Sequence, residues 1–299
     1  MEWIEAKSIL QKVSNPKDWF GCDYNMNLYR GCSHGCIYCD SRSSCYQVEN
    51  FDRIRGKKNA IFLLQQELAK KRKKGVIGIG AMSDSYNPLE NKYRLTRQAL
   101  TVIEEYGFGI SLETKSDLVT RDIDVLQNIQ KRAPVIIKLT ITAASDVLSQ
   151  KIEPNVCPSS KRWEAIHKLA EAGIFCGVLI TPVLPFITDT EENIKEIIRL
   201  SYLHGAKFVF CMGGVTLRQN QRDYYFEQLD QKFPSLKQRY IHTYGEKYMC
   251  PSLQINIRKI VEQECHKYGL LYQMKDIIHT YQKIGYHADI EQLSFFEND

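Results

Sequence analysis

Apolar positions along this chain fall into two alternating patterns. Short apolar runs over 76–82, 109–114, 135–141, 175–184 and 208–212 predict strands. Between them, the stretches 60–73, 95–106, 122–131, 161–172 and 191–204 predict helices. A shorter extended piece, Asn25 to Tyr29, precedes the first helix and runs into a cysteine-rich loop. Strands that alternate with helices imply right-handed βαβ units and a parallel sheet. Six such repeats make most of a barrel, so the predicted fold is α/β, a partial (β/α)6 TIM-like barrel. From about Gln221 the pattern changes. Tyr224, Tyr225, Phe226, Phe233, Tyr240, Tyr244 and Tyr248 crowd a stretch without clear strands, and a helix is predicted over 252–268. The expected organisation is a barrel over 1–220 and a mainly helical C-terminal extension over 221–299 that packs on it.

In a barrel of this kind the chemistry lies at the C-terminal ends of the strands. Polar, Gly and Pro residues collect at those points: the loop of Cys32 to Cys39, then Ser83 and Asp84, Lys115, Thr142, Pro182 to Pro185, and Gly213 with Gly214. The same residue types also mark ordinary turns.

The cysteine loop changes the picture most. Its sequence is Arg30-Gly31-Cys32-Ser33-His34-Gly35-Cys36-Ile37-Tyr38-Cys39-Asp40. Cys32, Cys36 and Cys39 can wrap one inorganic cluster from a single loop. A [4Fe–4S] cube usually takes four cysteines, so three leave one iron open to another ligand. Gly31 and Gly35 let the backbone bend close to the cluster. The alternative is a structural zinc loop, which needs four ligands in a closed tetrahedron. Cys22, His34 or Cys45 could supply the fourth, but no second Cys pair follows at finger-like spacing.

Composition narrows the class. The 299 residues are 43% hydrophobic, ample for a core, and no run of eighteen apolar residues exists. The first seven residues lack the basic start and apolar middle of a signal peptide, so the expectation is a cytoplasmic protein with reduced cysteines and no membrane segment. A net charge of +5 permits an anionic partner without demanding one. The run Lys70 to Lys74 reads as a phosphate patch or as the solvated end of a helix stopped by Gly75.

The Cys-x3-Cys-x2-Cys spacing, with Tyr38 before the last cysteine, resembles the signature of the radical S-adenosylmethionine superfamily. The resemblance covers roughly residues 21–214. Several segments are similar to the spore photoproduct lyase-like branch, often labelled DNA repair photolyase-related: Asn27 to Cys32, Ser83 to Glu90, Leu95 to Arg97, Thr114 to Ser116, Ile152 to Pro154 and Thr181 to Pro185. The resemblance implies a [4Fe–4S] cluster on Cys32, Cys36 and Cys39, and S-adenosylmethionine as second cofactor. It implies reductive cleavage to a 5′-deoxyadenosyl radical and hydrogen abstraction from a substrate, with nucleic acid as one candidate and a protein or small molecule as another. Tyr38 would lie against the adenine, Ser83 would contact the methionine amino end, Lys115 would pair with the methionine carboxylate, and Thr142 would face the ribose. A one-electron reductant such as a flavodoxin or ferredoxin is the implied partner. Spore photoproduct lyases carry a cysteine two residues before the Ser-Asp pair; here Ala81 stands there, which argues against that repair reaction. A non-catalytic zinc-loop nucleic-acid binder is the competing class.

The tail adds one motif. Gln292-Leu293-Ser294-Phe295-Phe296 resembles the peptide by which bacterial DNA-processing enzymes dock on the sliding clamp, with Gln292 setting register and the apolar side chains as anchors. The alternative is a latch that tucks against the barrel.

Overall fold

The computed structural model describes residues 2–284. Six strands run parallel in chain order: β1 (Tyr24–Met26), β2 (Val76–Ile79), β3 (Gly109–Thr114), β4 (Val135–Thr140), β5 (Cys176–Ile180) and β6 (Phe208–Cys211). Each pairs with its predecessor. Leu10–Lys12 adds an antiparallel edge to β1. The helices α1 (Ala60–Ala69), α2 (Leu95–Glu105), α3 (Ile123–Gln130), α4 (Ser159–Glu171) and α5 (Glu191–Leu203) alternate with them. This is the partial (β/α)6 barrel that the apolar pattern predicts. Every residue of β2, β4 and β5 is buried, which is why their sequences are apolar runs without alternation, interrupted in β4 only by Lys138 and Thr140. The helices turn one apolar stripe inward, as α2 does with Leu95, Ala99, Leu100, Val102 and Ile103. The hydroxyl of Thr190 accepts from the backbone N–H of Asn193 at 3.2 Å and caps α5, whose first turn carries Glu191 and Glu192.

Four further helices follow: α6 (Gln221–Lys232), α7 (Leu236–Tyr244), α8 (Ile257–Tyr268) and α9 (Met274–Ile284). The stretch that reads as lacking strands contains one, Met249–Pro251, paired antiparallel with Gly214–Thr216. Ile277 and Tyr281 of α9 pack with Phe20, Val76, Ile136, Phe175 and Phe208. Val76 and Phe208 open their strands, Ile136 is second in β4, and Phe175 directly precedes β5. The helix α9 therefore closes the N-terminal end of the barrel and leaves the C-terminal end for chemistry.

The N-terminal region holds an element that the apolar pattern misses. Glu2–Ile4, Arg55–Lys57 and Tyr29–Arg30 form a separate small sheet. The extended piece expected over 25–29 thus divides between the barrel and this sheet. Among the described residues no helix is long and apolar enough to cross a membrane. Gln292 to Phe296 lies outside the described residues.

Candidate active site

Between Tyr29–Arg30 and Arg42, the chain lacks long regular structure and is held by specific bonds. Gly31 has φ +83°, and a Cβ there would come within 2.6 Å of the Phe51 carbonyl oxygen; the Cys32 N–H donates to that same oxygen at 2.8 Å. The Ile37 N–H donates to the Ile152 carbonyl at 3.0 Å, and the Asn155 N–H to the His34 carbonyl at 3.1 Å. The Asn155 side-chain amide donates to the Ser33 carbonyl at 2.9 Å. The loop is thus fastened to the segment that follows β4.

Cys32, Cys36 and Cys39 line one cavity of about 80 Å³, together with His34, Gly80, Ala81, Asp84, Glu113, Lys115 and Thr140. Among the described residues no three His, Cys, Asp or Glu side chains converge on a single ion; the thiols are spread around a cavity. Burial pushes the Cys32 thiol up to about 12, with Asp84 adding to the effect. Burial also raises Cys36 and Cys39. Metal binding needs thiolates, so loading this loop releases protons.

Lys115 reaches the same cavity from the end of β3, with its Nζ 5.9 Å from the centre of the Tyr38 ring. Burial pulls its ammonium down, but Cys36, Glu153, Asp84 and Cys39 outweigh that, and the net shift is upward. It is a permanent cation in a pocket of potential anions. Asp84 organises the ground around it. Its carboxylate accepts from Thr114 Oγ1 at 2.6 Å, from the Tyr86 N–H at 2.9 Å and from the Lys115 N–H at 2.8 Å, and lies 3.5 Å from His34 Nδ1. One side chain therefore ties the β2 exit, the β3 exit and the cysteine loop together. Ser83 donates to the Gly31 carbonyl at 2.5 Å.

Tyr38 is buried, and its hydroxyl donates to Glu153. Glu153 also pairs with Arg162 at 2.6 Å. Arg162 donates to the Thr140 carbonyl at 2.9 Å and to the Cys157 carbonyl at 2.8 Å. Burial, then Glu153, raises the Tyr38 phenol well above its ordinary value, so it stays protonated. A second cavity, about 390 Å³, opens beside the first and shares Cys36, Cys39, Ala81, Glu113, Lys115 and Thr140 with it. Tyr38, Tyr46, Thr181, Pro182 and Met212 complete much of its wall. Thr142 lines neither cavity; it is buried, and its carbonyl accepts from Asn193 Nδ2 at 3.0 Å. Thr140, one strand position pair earlier, is the threonine that faces the space.

Sequence reasoning placed Asp84 at a strand end without a role and gave none to Glu113, Thr140, Glu153 or Arg162. Glu113 lines both cavities, and Lys138, buried beneath it, lies 3.5 Å away and donates to Ser111 Oγ at 3.0 Å. A charged residue inside an apolar strand run was the available signal for Lys138.

Residues 26–201 match the Radical SAM superfamily. An uncharacterized protein of Mycobacterium bovis is 28% identical over 275 residues, which cover 89% of this chain and 80% of that one. An uncharacterized protein of Methanocaldococcus jannaschii is 34% identical over 200 residues, covering 66% of this chain and 73% of that one. The solved structure of a spore photoproduct lyase mutant aligns with a TM-score of 0.67 and 14% identity over 89% of this chain and 78% of that one. The zinc-loop binder is thereby set aside: the chain belongs to the Radical SAM superfamily, an enzyme of radical chemistry with the fold of spore photoproduct lyase.

Proposed function

We propose that this enzyme holds a [4Fe–4S] cluster on Cys32, Cys36 and Cys39, binds S-adenosylmethionine beside it, and abstracts a hydrogen atom from a nucleotide-containing substrate. The observation that carries the reading is that three thiols, two of them buried and the third half-buried, and the Lys115 ammonium line one cavity that opens into a larger one. These residues fit both groups: soft thiolates suit iron–sulfur clusters, and a desolvated ammonium suits a carboxylate. When bound and reduced, the cluster supplies the electron that splits S-adenosylmethionine into methionine and the 5′-deoxyadenosyl radical.

The chain's own residues divide the remaining work. Lys115 pairs with the methionine carboxylate. Ser83, which the sequence suggests for the methionine ammonium, has its proton committed to Gly31 and lines neither of these two cavities, so it is given no part in holding the cofactor. Tyr38 has its hydroxyl committed to Glu153, so the ring rather than the hydroxyl is offered to the adenine. Thr140 takes the ribose-facing place that the sequence suggests for Thr142. Ala81 lines both cavities and offers no thiol, so a hydrogen is not returned to the substrate from that position. Nucleic acid enters because a solved spore photoproduct lyase structure of similar fold holds a dinucleoside spore photoproduct.

Anaerobically prepared protein should carry iron and acid-labile sulfide and, on reduction with dithionite, should form 5′-deoxyadenosine from S-adenosylmethionine. Cys32→Ala, Cys36→Ala or Cys39→Ala should each abolish the cluster, whereas Cys22→Ala, Cys45→Ala and Cys157→Ala should keep it. A protein that holds only zinc, or a cluster that disappears with Cys45→Ala, would refute the assignment.

A further inference from the structure

A third cavity, about 400 Å³, lies on the other side of the cysteine loop. The small N-terminal sheet builds it. Ile4, Tyr29, Arg30 and Lys57 line it, and so do Asn27 and Lys7. It adjoins the candidate active site directly: Met82 lines this cavity and the thiol cavity, and Tyr46 lines this cavity and the larger one.

Its electrostatics are one-sided. Lys7, Arg30 and Lys57 face Glu5 as the single acid among the lining residues, and Glu5 is exposed with no ion pair to any of them. Lys57 is half-buried, and among the described residues its ammonium has neither a hydrogen bond nor a carboxylate partner. Burial, with Arg30 nearby, pulls it below the ordinary lysine value. Arg30 spends one N–H on the Gln47 carbonyl at 2.6 Å and has no acidic partner among the described residues. The Asn27 side-chain amide lines the cavity as well; among the described residues its N–H groups donate no hydrogen bond and its buried Oδ1 accepts none. Two like charges held together are costly unless an anion joins them.

We propose that this cavity seats a phosphate group of the substrate, clamped by Lys57 and Arg30 with Asn27 as a neutral donor. A phosphate held there would lead the rest of the substrate past Tyr46 into the larger cavity. The proposal deepens the radical-enzyme reading and rests on it only for what lies next door.

Full-length, cluster-loaded protein should bind thymidine monophosphate and not thymidine by calorimetry, and inorganic phosphate should displace the monophosphate. Lys57→Gln should weaken monophosphate binding about tenfold or more, as expected for a lost charge-assisted contact. Asn27→Ala should weaken it less, and Lys73→Gln, in the exposed basic run, should leave it unchanged. A single-stranded dodecathymidylate separates the sources: tighter binding than the monophosphate, with a salt dependence that Lys57→Gln reduces, identifies a nucleic-acid strand, and equal binding identifies a free nucleotide. Equal binding of thymidine and its monophosphate, or an unchanged affinity in both Lys57→Gln and Asn27→Ala, overturns the proposal. Phosphate binding with no cleavage of S-adenosylmethionine would refute only the earlier reading.

Discussion

Arg162 is a buried cation and Lys115 a half-buried one, and their partners set them apart. Arg162 is fully committed to Glu153 and to two backbone carbonyls. Lys115 faces thiols and an open cavity. Lys115→Ala should therefore weaken S-adenosylmethionine binding about tenfold or more while the cluster absorbance stays intact; an unchanged affinity would show that another group holds the carboxylate. Glu153→Gln should instead act on stability. It leaves the Arg162 charge buried and uncompensated, which costs about 3–5 kcal/mol, read as a lower urea midpoint with the m-value preserved. A loss below about 1 kcal/mol would mean that water reaches Arg162. The three thiols and Lys115, which line one cavity, were readable in the sequence because they sit in short motifs; Ser83 sits in such a motif too but lines the cavity on the other side of the loop. Glu153 was visible only as part of a motif without a role. Its hydrogen-bond partner Tyr38 is 115 positions away, and only the fold brings the two together.

Elements were readable where a pattern is long enough to have a period. The helices α1 to α5 lie where apolar spacing predicts them, within a few residues, whereas the short helices Glu90–Tyr93 and Asp146–Ile152 carry too little pattern to be seen. The strands β2 and β5 are shorter than their apolar runs for a definite reason. The chain leaves the sheet at Gly80 and again before Pro182, yet Val183 and Leu184 remain fully buried in the loop, so the apolar signal continues past the last ladder bond. Strands of two or three residues, such as Tyr29–Arg30 and Met249–Pro251, carry too little pattern to be seen. Gly80 marks the sharpest local demand: φ is +101°, and an added Cβ would fall on the Glu113 carbonyl oxygen. Gly107 has φ +66° with open space around it. Gly107→Ala should cost about 1–2 kcal/mol for the left-handed backbone alone. Gly80→Ala should cost clearly more, since it must also push β3 away from β2 beside the thiols. Equal shifts in melting temperature would show that close approach is not what requires glycine there.

At the scale of the whole molecule, the last described helix and the segment just before β1 meet at the floor of the barrel. The Tyr281 hydroxyl donates to the Phe20 carbonyl at 2.5 Å, and its ring lies 6.2 Å from that of Phe175. Tyr281→Ala should lower stability by about 3–5 kcal/mol, as large-to-small changes in a packed aromatic cluster do; a smaller loss in urea unfolding would mean that α9 is a cover rather than a part of the core. The other long-range tie has a consequence in time. Ser33, inside the cysteine loop, is bonded to Asn155 across 122 positions of sequence. Synthesis proceeds at about 5–20 residues per second, so roughly 6–24 s separate the emergence of the thiols from that of the segment that walls them in. During that interval the cysteines are open to oxygen and to stray metals on every ribosome that makes this chain. If the proposed cluster assignment holds, iron delivered early would find ligands without a pocket, and loading would have to wait for the middle of the enzyme's own message to be read.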